Sequence, residues 1–186
     1  GGPGSPAFLY VAKQHQTSIK QPLSGWMGHV NPFAFTPEYK AADSINQFQC
    51  GTPSVLAMSA LDAALDVWRD VNMQQIRNKS MALADLFLAL IHKNDCLFDL
   101  VLCSPNIAQQ RGSQLAFSHN DAFAICQALI EKGVIADFRA PNILRFGFTP
   151  LYTSFEDVWQ VVTTLAIIVE TELYKDPRFN ITLKVT

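Results

Sequence analysis

The spacing of hydrophobic residues predicts two consecutive helices in the middle of the chain. The first has apolar residues at three- and four-residue intervals on one face: Met58, Leu61, Leu65 and Trp68. It should begin at Thr52-Pro53, because Thr is a favoured N-cap and Pro is favoured at the first helical position. The second is predicted over 74–92, with a face formed by Ile76, Leu83, Phe87 and Leu90.

The second half of the chain has the pattern of an α+β layer. Short apolar segments predict strands at 97–102, 114–118, 134–138 and 143–148. A helix over 120–132 should end at Gly133, and a last helix should begin near Thr153, where Thr153 and Glu156 have capping-box spacing. The predicted apolar face of that helix consists of Phe155, Val158, Trp159, Val162, Leu165 and Val169. Residues after Asp176-Pro177 are predicted to form a short tail strand.

The first fifty residues show little regular periodicity. The apolar run 7–12 follows Gly and Pro residues and is typical of a buried strand. Residues 13–47 contain repeated Gly and Pro breakers and are predicted to be a long structured loop, a kind of segment that is often functional. This half should be incomplete, because its strands need partners that the chain does not contain.

Composition and charge exclude several function classes. The chain has 186 residues, 49% of them hydrophobic and 16% charged, with a net charge of −2. This composition suits a packed core and gives no basis for binding nucleic acid or an anionic membrane. The longest apolar stretches are too short to span a bilayer. The four cysteines, none in a CxxC pair, are predicted to be reduced thiols in a cytosolic core, and no zinc-ligand spacing is present.

Two segments of the first half are candidates for anion binding. Trp26 lies in Gly25-Trp26-Met27-Gly28-His29, where flanking glycines allow close approach and the indole N–H can only donate. Thr52, after Gly51, lies at a predicted helix start, which favours a phosphate. His29 in the same loop could act as an acid or a base. The structural alternatives are that Trp26 fills a gap in the core, that Thr52 only caps its own helix and that His29 is a hydrogen-bonding residue.

Two arginines of the second half are also candidates. Arg145 lies inside an otherwise apolar predicted strand, where a guanidinium is costly unless it meets an anion. Its planar fork fits a carboxylate, which is either that of a substrate or that of a structural Asp or Glu, for instance Asp137 on the preceding strand. Arg111, in Arg111-Gly112-Ser113-Gln114, is consistent with a polar turn and has no assigned chemistry. A metal site and an obvious nucleophile are not predicted.

The order of these segments resembles the kynureninase family over almost the whole chain. The resembling strings are GGPGSPAF, LSGWMGH, NPFAF, FQCGTPSVLAMSALDAAL, RGSQLAFSH and GVIADFRAPNILRFGFTPLYTSF. The resemblance implies an α/β fold, the C-terminal part of a type I pyridoxal-phosphate (PLP) enzyme. Residues 1–72 would be the end of the large PLP-binding domain with its linking helix, and 73–186 the small α+β domain.

The resemblance also implies roles for four residues. Trp26 and Thr52 would bind the PLP phosphate from the neighbouring subunit of a homodimer, Gly51 would line the pocket near the substrate ring, and Arg145 would bind the α-carboxylate of the substrate. The lysine that holds the cofactor would lie upstream of Gly1, so no catalytic residue is expected in this chain. Gly51-Thr52 resembles the bacterial type, which prefers kynurenine to its 3-hydroxy form.

The function implied is hydrolysis of L-kynurenine to anthranilate and L-alanine in the kynurenine pathway of tryptophan catabolism and NAD biosynthesis. The complete protein would be a cytoplasmic homodimer that binds neither nucleic acid nor a membrane, and this chain alone would be inactive. Two alternatives stay open. One is another type I PLP enzyme, an aminotransferase or a cysteine desulfurase that uses Cys103. The other is a non-catalytic interaction domain.

Overall fold

The structure is a computed structural model that describes residues 4–181, and its contacts divide the chain into two compact units, Gly1–Asp70 and Val71–Thr186. The α-helices are α1 (Lys13–Gln16), α2 (Val55–Leu65), α3 (Met73–His92), α4 (Ala122–Glu131) and α5 (Phe155–Glu170). The strands are β1 (Val101–Leu102), β2 (Gln114–Ser118), β3 (Asp137–Arg139) and β4 (Ile143–Gly147). Within the described residues, none of the helices is long and apolar enough to cross a membrane.

The second unit is built around one antiparallel sheet with strand order β1-β2-β4-β3. Successive side chains of a strand point to opposite faces of the sheet, and here one face is buried through Leu115, Phe117, Leu144 and Phe146. Phe87 of α3 packs on this face, with its ring centroid 4.8 Å from that of Phe146. Helices α4 and α5 complete the apolar layer. The other face is partly exposed and carries mostly polar side chains.

The predicted helix over 74–92 is confirmed as α3, with Leu83 and Phe87 fully buried and Ile76 and Leu90 half-buried. Asn72 caps it by accepting hydrogen bonds from the backbone N–H groups of Gln74 and Gln75. The strand predicted over 114–118 has the expected bounds. The 120–132 helix is observed as α4 and is followed by Gly133 at φ +81°, a left-handed conformation that glycine adopts without strain.

The other predicted strands are shorter than expected. Of the predicted 97–102 strand only Val101 and Leu102 are observed, as β1, while Leu97 ends a 3₁₀ turn that begins at Asp95. The predicted 134–138 strand is displaced to β3. The 143–148 strand is β4, one residue shorter. The tail strand is wrong at Pro177–Asn180, which form a 3₁₀ turn, and its remainder after residue 181 lies outside the described residues.

The predicted cap of the last helix is wrong by one residue. Ser154, not Thr153, is the N-cap of α5, and Ser154 and Asp157 form the capping box in place of Thr153 and Glu156. Hydrogen bonds from Ser154 lower the pKa of Asp157. Val158, Val162 and Leu165 are buried as predicted, but Phe155 and Trp159 are exposed because they lie on the outer side of the helix.

Replacing Ser154 by alanine should lower the free energy of unfolding by about 1 kcal/mol, because the Asp157 N–H loses its acceptor. Urea unfolding followed by circular dichroism would measure the change. Glu156→Gln, in the predicted but unused position, is the matched control and should shift stability by less than about 0.5 kcal/mol. Equal effects of the two substitutions would contradict the observed cap.

The first unit has little regular structure and almost no core. Its only buried side chain among the described residues is that of Gln47. The predicted buried strand 7–12 is wrong, since these residues form no strand and Phe8 is 97% exposed. Helix α2 has no buried residue, so its predicted face at Met58, Leu65 and Trp68 is largely exposed. These side chains could be buried only by residues outside the first unit.

Candidate functional site

The loop that carries Trp26 is held in place by close backbone contacts. A Cβ added to Gly25 would lie 1.8 Å from the carbonyl oxygen of Cys50, so only glycine fits there. Gly28 is similarly enclosed by the carbonyl oxygens of Gln47 and Gln49. The Cys50 thiol donates to the Leu23 carbonyl at 2.8 Å. These contacts place the Trp26 loop directly beside the segment that leads into Gly51 and Thr52.

Trp26 forms one wall of an open pocket of about 530 Å³, a volume within the usual range for small-ligand sites. Its indole is 45% exposed and meets the Phe33 ring edge-on, with a centroid distance of 5.4 Å. Within the described residues Trp26 therefore does not fill a gap in a core. Tyr39 closes another side and donates from its hydroxyl to the Gly28 carbonyl at 3.2 Å.

His29 lies in the same pocket, and both of its ring nitrogens face the backbone. Nδ1 accepts from the Asn31 N–H at 2.9 Å, and Nε2 is 3.3 Å from the Glu38 carbonyl oxygen. A nitrogen that accepts from an amide carries no proton, so this arrangement fits a neutral imidazole with its proton on Nε2. Both contacts support the structural reading of His29.

Thr52 is not a helix cap. Helix α2 begins at Val55 with Ser54 as its N-cap, so Thr52 lies three residues before the helix. Pro53 was expected at the first helical position and is also outside. Both Thr52 and Gly51 are exposed, and a Cβ added to Gly51 would meet open space. The Thr52 hydroxyl is thus accessible to a ligand, but the helix dipole does not act at it as the sequence suggested.

Arg145 lies on the partly exposed face of the sheet in the second unit, directly across from Asp137 in the β3–β4 register. Its Nε donates to Asp137 Oδ2 at 2.5 Å, and its Nη2 contacts the same oxygen. The internal partner considered from the sequence is therefore present. The two side chains are 27% and 46% exposed, which leaves the guanidinium accessible to a second anion.

Arg111 has a structural role. Its side chain is only 3% exposed and pairs with Asp85 on α3. Its Nη1 donates to the carbonyl oxygens of Pro105 and Asn106, at 3.1 and 2.8 Å. A buried guanidinium needs such partners, and here they fix the loop before β2. The sequence identified the turn at Arg111, but Asp85 is 26 residues away and no local pattern connects the two.

The four cysteines are free, but they are not all in the core as expected. Cys126 is buried, and desolvation together with the charge of Asp137 raises its pKa to about 11. Cys96 is half-buried, and desolvation raises its pKa as well. Cys50 and Cys103 are exposed. In the described part of the chain, no group of three or more His, Cys, Asp and Glu residues is arranged to hold a metal ion.

The structure thus brings together two of the three predicted binding segments. Trp26 and the Gly51-Thr52 segment are neighbours in the first unit, and Arg145 lies in the second. That all three converge on one ligand stays a prediction. Tyr39 was not singled out from the sequence, and its place in a Pro- and Gly-rich loop was the only signal available.

Comparison with known proteins gives consistent matches. Residues 76–165 match the model of the kynureninase C-terminal domain. The chain is 48% identical over all 186 residues to a kynureninase of Burkholderia mallei (strain SAVP1) and 41% identical to that of Pseudomonas fluorescens. In both cases the match covers 100% of this chain and 45% of the relative. The chain therefore spans less than half the length of these curated relatives.

Solved structures with a similar fold include two of C-DES. One is a complex of this cystine C–S lyase with its product cysteine persulfide, with a TM-score of 0.70, 18% identity and coverage of 84% of this chain and 41% of that one. The other is a lysine-to-alanine mutant with glycine covalently linked to the PLP cofactor, with a TM-score of 0.68, 16% identity and coverage of 84% and 40%. At this identity the likeness concerns the fold, and it confirms the predicted fold class.

Proposed function

Since this chain is the C-terminal part of a kynureninase-like protein, we propose that the complete protein is a PLP-dependent kynureninase. It would hydrolyse L-kynurenine to anthranilate and L-alanine. The observation that carries the proposal is the 48% and 41% identity to kynureninases of two genera, in alignments that cover all 186 residues of the chain. The C-DES likeness adds the fold but does not select the reaction, because different chemistries occur on one fold.

The first unit has groups that fit the phosphate of PLP. The Trp26 indole and the Thr52 hydroxyl are donors on exposed side chains, and Gly25 keeps their two segments in contact. The open pocket beside Trp26 provides a concave surface next to these donors. We assign Trp26 and Thr52 to the phosphate and Gly51 to the space near the substrate ring. When bound, PLP supplies the electron sink needed to break the C–C bond.

Arg145 is assigned to the α-carboxylate of the substrate. A guanidinium binds a carboxylate through two parallel hydrogen bonds, which fix both the position and the orientation of the amino acid. Such orientation contributes to rate by holding the reacting groups in a productive geometry. The half-exposed position of Arg145 on the polar sheet face supports this role.

We further propose that the complete protein is a cytoplasmic homodimer with the site at the subunit interface. This protein acts in the kynurenine pathway of tryptophan catabolism, which leads to NAD biosynthesis. The many exposed apolar side chains of the first unit support further packing partners. The Gly51-Thr52 pair supports kynurenine as the preferred substrate over its 3-hydroxy form.

The test is to incubate the purified complete protein with PLP and L-kynurenine and to follow anthranilate by its fluorescence. We expect turnover by the complete protein and none by this 186-residue chain alone. Trp26→Phe keeps an aromatic ring but removes the indole N–H. It should weaken PLP binding several-fold, because about one hydrogen bond to the phosphate is lost. Sulfide release from cysteine without anthranilate release would instead favour a desulfurase or C–S lyase.

A further inference from the structure

Asp137 and Arg145 form a cross-strand pair whose geometry uses only one edge of the guanidinium. The register places the two residues directly opposite each other, so their side chains share the open face of the sheet. Arg145 Nε donates at 2.5 Å to Asp137 Oδ2, and Nη2 reaches the same oxygen. This is side-on binding along the Nε–Nη2 edge. Within residues 4–181 the contacts of Arg145 involve Nε and Nη2 and not Nη1, so the end-on edge, formed by Nη1 and the second hydrogen of Nη2, is available to another carboxylate.

A second arginine is close to the same carboxylate. Arg139 Nε lies 3.4 Å from Asp137 Oδ2, and Arg139 is two residues from Asp137 on β3 and therefore on the same face. The three side chains carry two positive charges and one negative charge. The group therefore keeps a net positive charge, and Asp137 does not cancel the attraction of this face for an incoming anion.

The pair at Arg145 is unsuited to a mainly stabilising role. Its members are 27% and 46% exposed, and ion pairs with that much solvent contact contribute little to the free energy of folding. A free arginine side chain, however, samples many rotamers, and their loss on binding opposes ligand affinity. Because Asp137 already holds the Nε–Nη2 edge of Arg145, most of this rotamer entropy is lost before the ligand binds.

We propose that Asp137 is a positioning residue. It holds the Arg145 guanidinium by its side edge, so that the end edge is presented to the α-carboxylate of the amino-acid substrate. The inference rests on the proposed function, because it requires that Arg145 bind the substrate carboxylate. Asp137 itself does not touch the substrate, and its effect passes through Arg145.

The test uses Asp137→Asn in the complete PLP-loaded protein. The amide keeps the shape but loses the charge that holds Arg145. We expect KM for L-kynurenine to rise about tenfold while kcat stays within about twofold, because the anchor acts on carboxylate binding. Asp121→Asn is the matched control, since it removes the same charge from an exposed position on the same unit, and its KM should change less than about twofold.

Two further measurements separate positioning from structural damage. The carboxamide analogue of kynurenine lacks the carboxylate, so Asp137→Asn should leave its KM unchanged. PLP occupancy and the thermal midpoint should equal those of the wild-type protein. An unchanged KM for L-kynurenine in an active Asp137→Asn enzyme, or an equal rise with both substrates, would overturn the inference alone. Absence of anthranilate from the wild-type protein would overturn the proposed function and this inference with it.

Discussion

Arg145→Lys in the complete protein should raise KM for L-kynurenine by about ten- to a hundredfold. One ammonium group cannot make the two parallel hydrogen bonds of a guanidinium, and each hydrogen bond to a charged group contributes about 1.5–3 kcal/mol. Because Arg145 and Asp137 are both partly exposed, the loss of their ion pair should hardly change thermal stability. Steady-state kinetics with anthranilate fluorescence, beside a thermal melt, would measure both effects.

Arg139→Lys is the matched control for this prediction. Arg139 lies on the same sheet face and near the same aspartate, but it is more exposed than Arg145 and meets Asp137 only at 3.4 Å. Its replacement should change KM less than about threefold. If Arg145→Lys has no larger effect than Arg139→Lys, then Arg145 is only the structural partner of Asp137 and the substrate assignment is wrong.

The two units should behave oppositely when they are expressed separately. Every buried hydrophobic side chain in the described residues lies between Leu83 and Phe179, all of them in the second unit. We expect residues 71–186 to fold alone, with dispersed amide resonances and one cooperative urea transition. Residues 1–70 alone should show no cooperative transition, because the apolar area they bury cannot offset the entropy of ordering the chain.

Two phenylalanines provide matched variants for this contrast. Phe87 is fully buried against Phe117, Phe146 and Phe148, so Phe87→Ala should destabilise the 71–186 fragment by about 3–5 kcal/mol. Phe8 is 97% exposed, and Phe8→Ala in the 186-residue chain should change its unfolding by less than about 0.5 kcal/mol. Cooperative unfolding of the 1–70 fragment would show that the first unit has a core of its own.

The second unit could be predicted well because its sequence pattern and its packing agree. In α3, apolar residues recur with the helical period and the same unit supplies the sheet that covers them. In α5 the helical spacing of apolar residues was predicted correctly. The spacing could not show how wide the buried face of the helix is, and Phe155 and Trp159 lie outside that face. Adjacent Thr153 and Ser154 are both good caps, and only the backbone path selects Ser154.

The first unit was predicted poorly for a different physical reason. The run 7–12 is apolar enough for a buried strand, but hydrophobicity predicts burial only where partner surface exists, and the described residues of this unit provide none for Phe8. Thr52-Pro53 matched a helix start by residue type, yet α2 begins at Val55. The resemblance assigned Thr52 and Trp26 to one phosphate, and the structure places their segments side by side, a proximity that no periodicity could show.

In the candidate site, too, residue type could be interpreted from the sequence, but contacts that depend on the fold could not. Residue type alone identified Arg145 as needing an anion and Asp137 as one possible partner, and the structure shows that pair. Residue type could not show that Asp137 occupies a single edge of the guanidinium, because that contact depends on the cross-strand register. The partner of Arg111 was missed because Asp85 lies on α3, 26 residues away in the sequence.

We propose that Trp26, Thr52 and Arg145 bind the cofactor and the substrate of one site in the complete protein. The most direct measurement is a crystal structure of the complete protein with PLP and a bound amino-acid substrate analogue. We expect the Trp26 indole N–H and the Thr52 hydroxyl within hydrogen-bonding distance of the phosphate, and the end edge of Arg145 on the α-carboxylate. A carboxylate held by another cation, with Arg145 facing solvent, would contradict it.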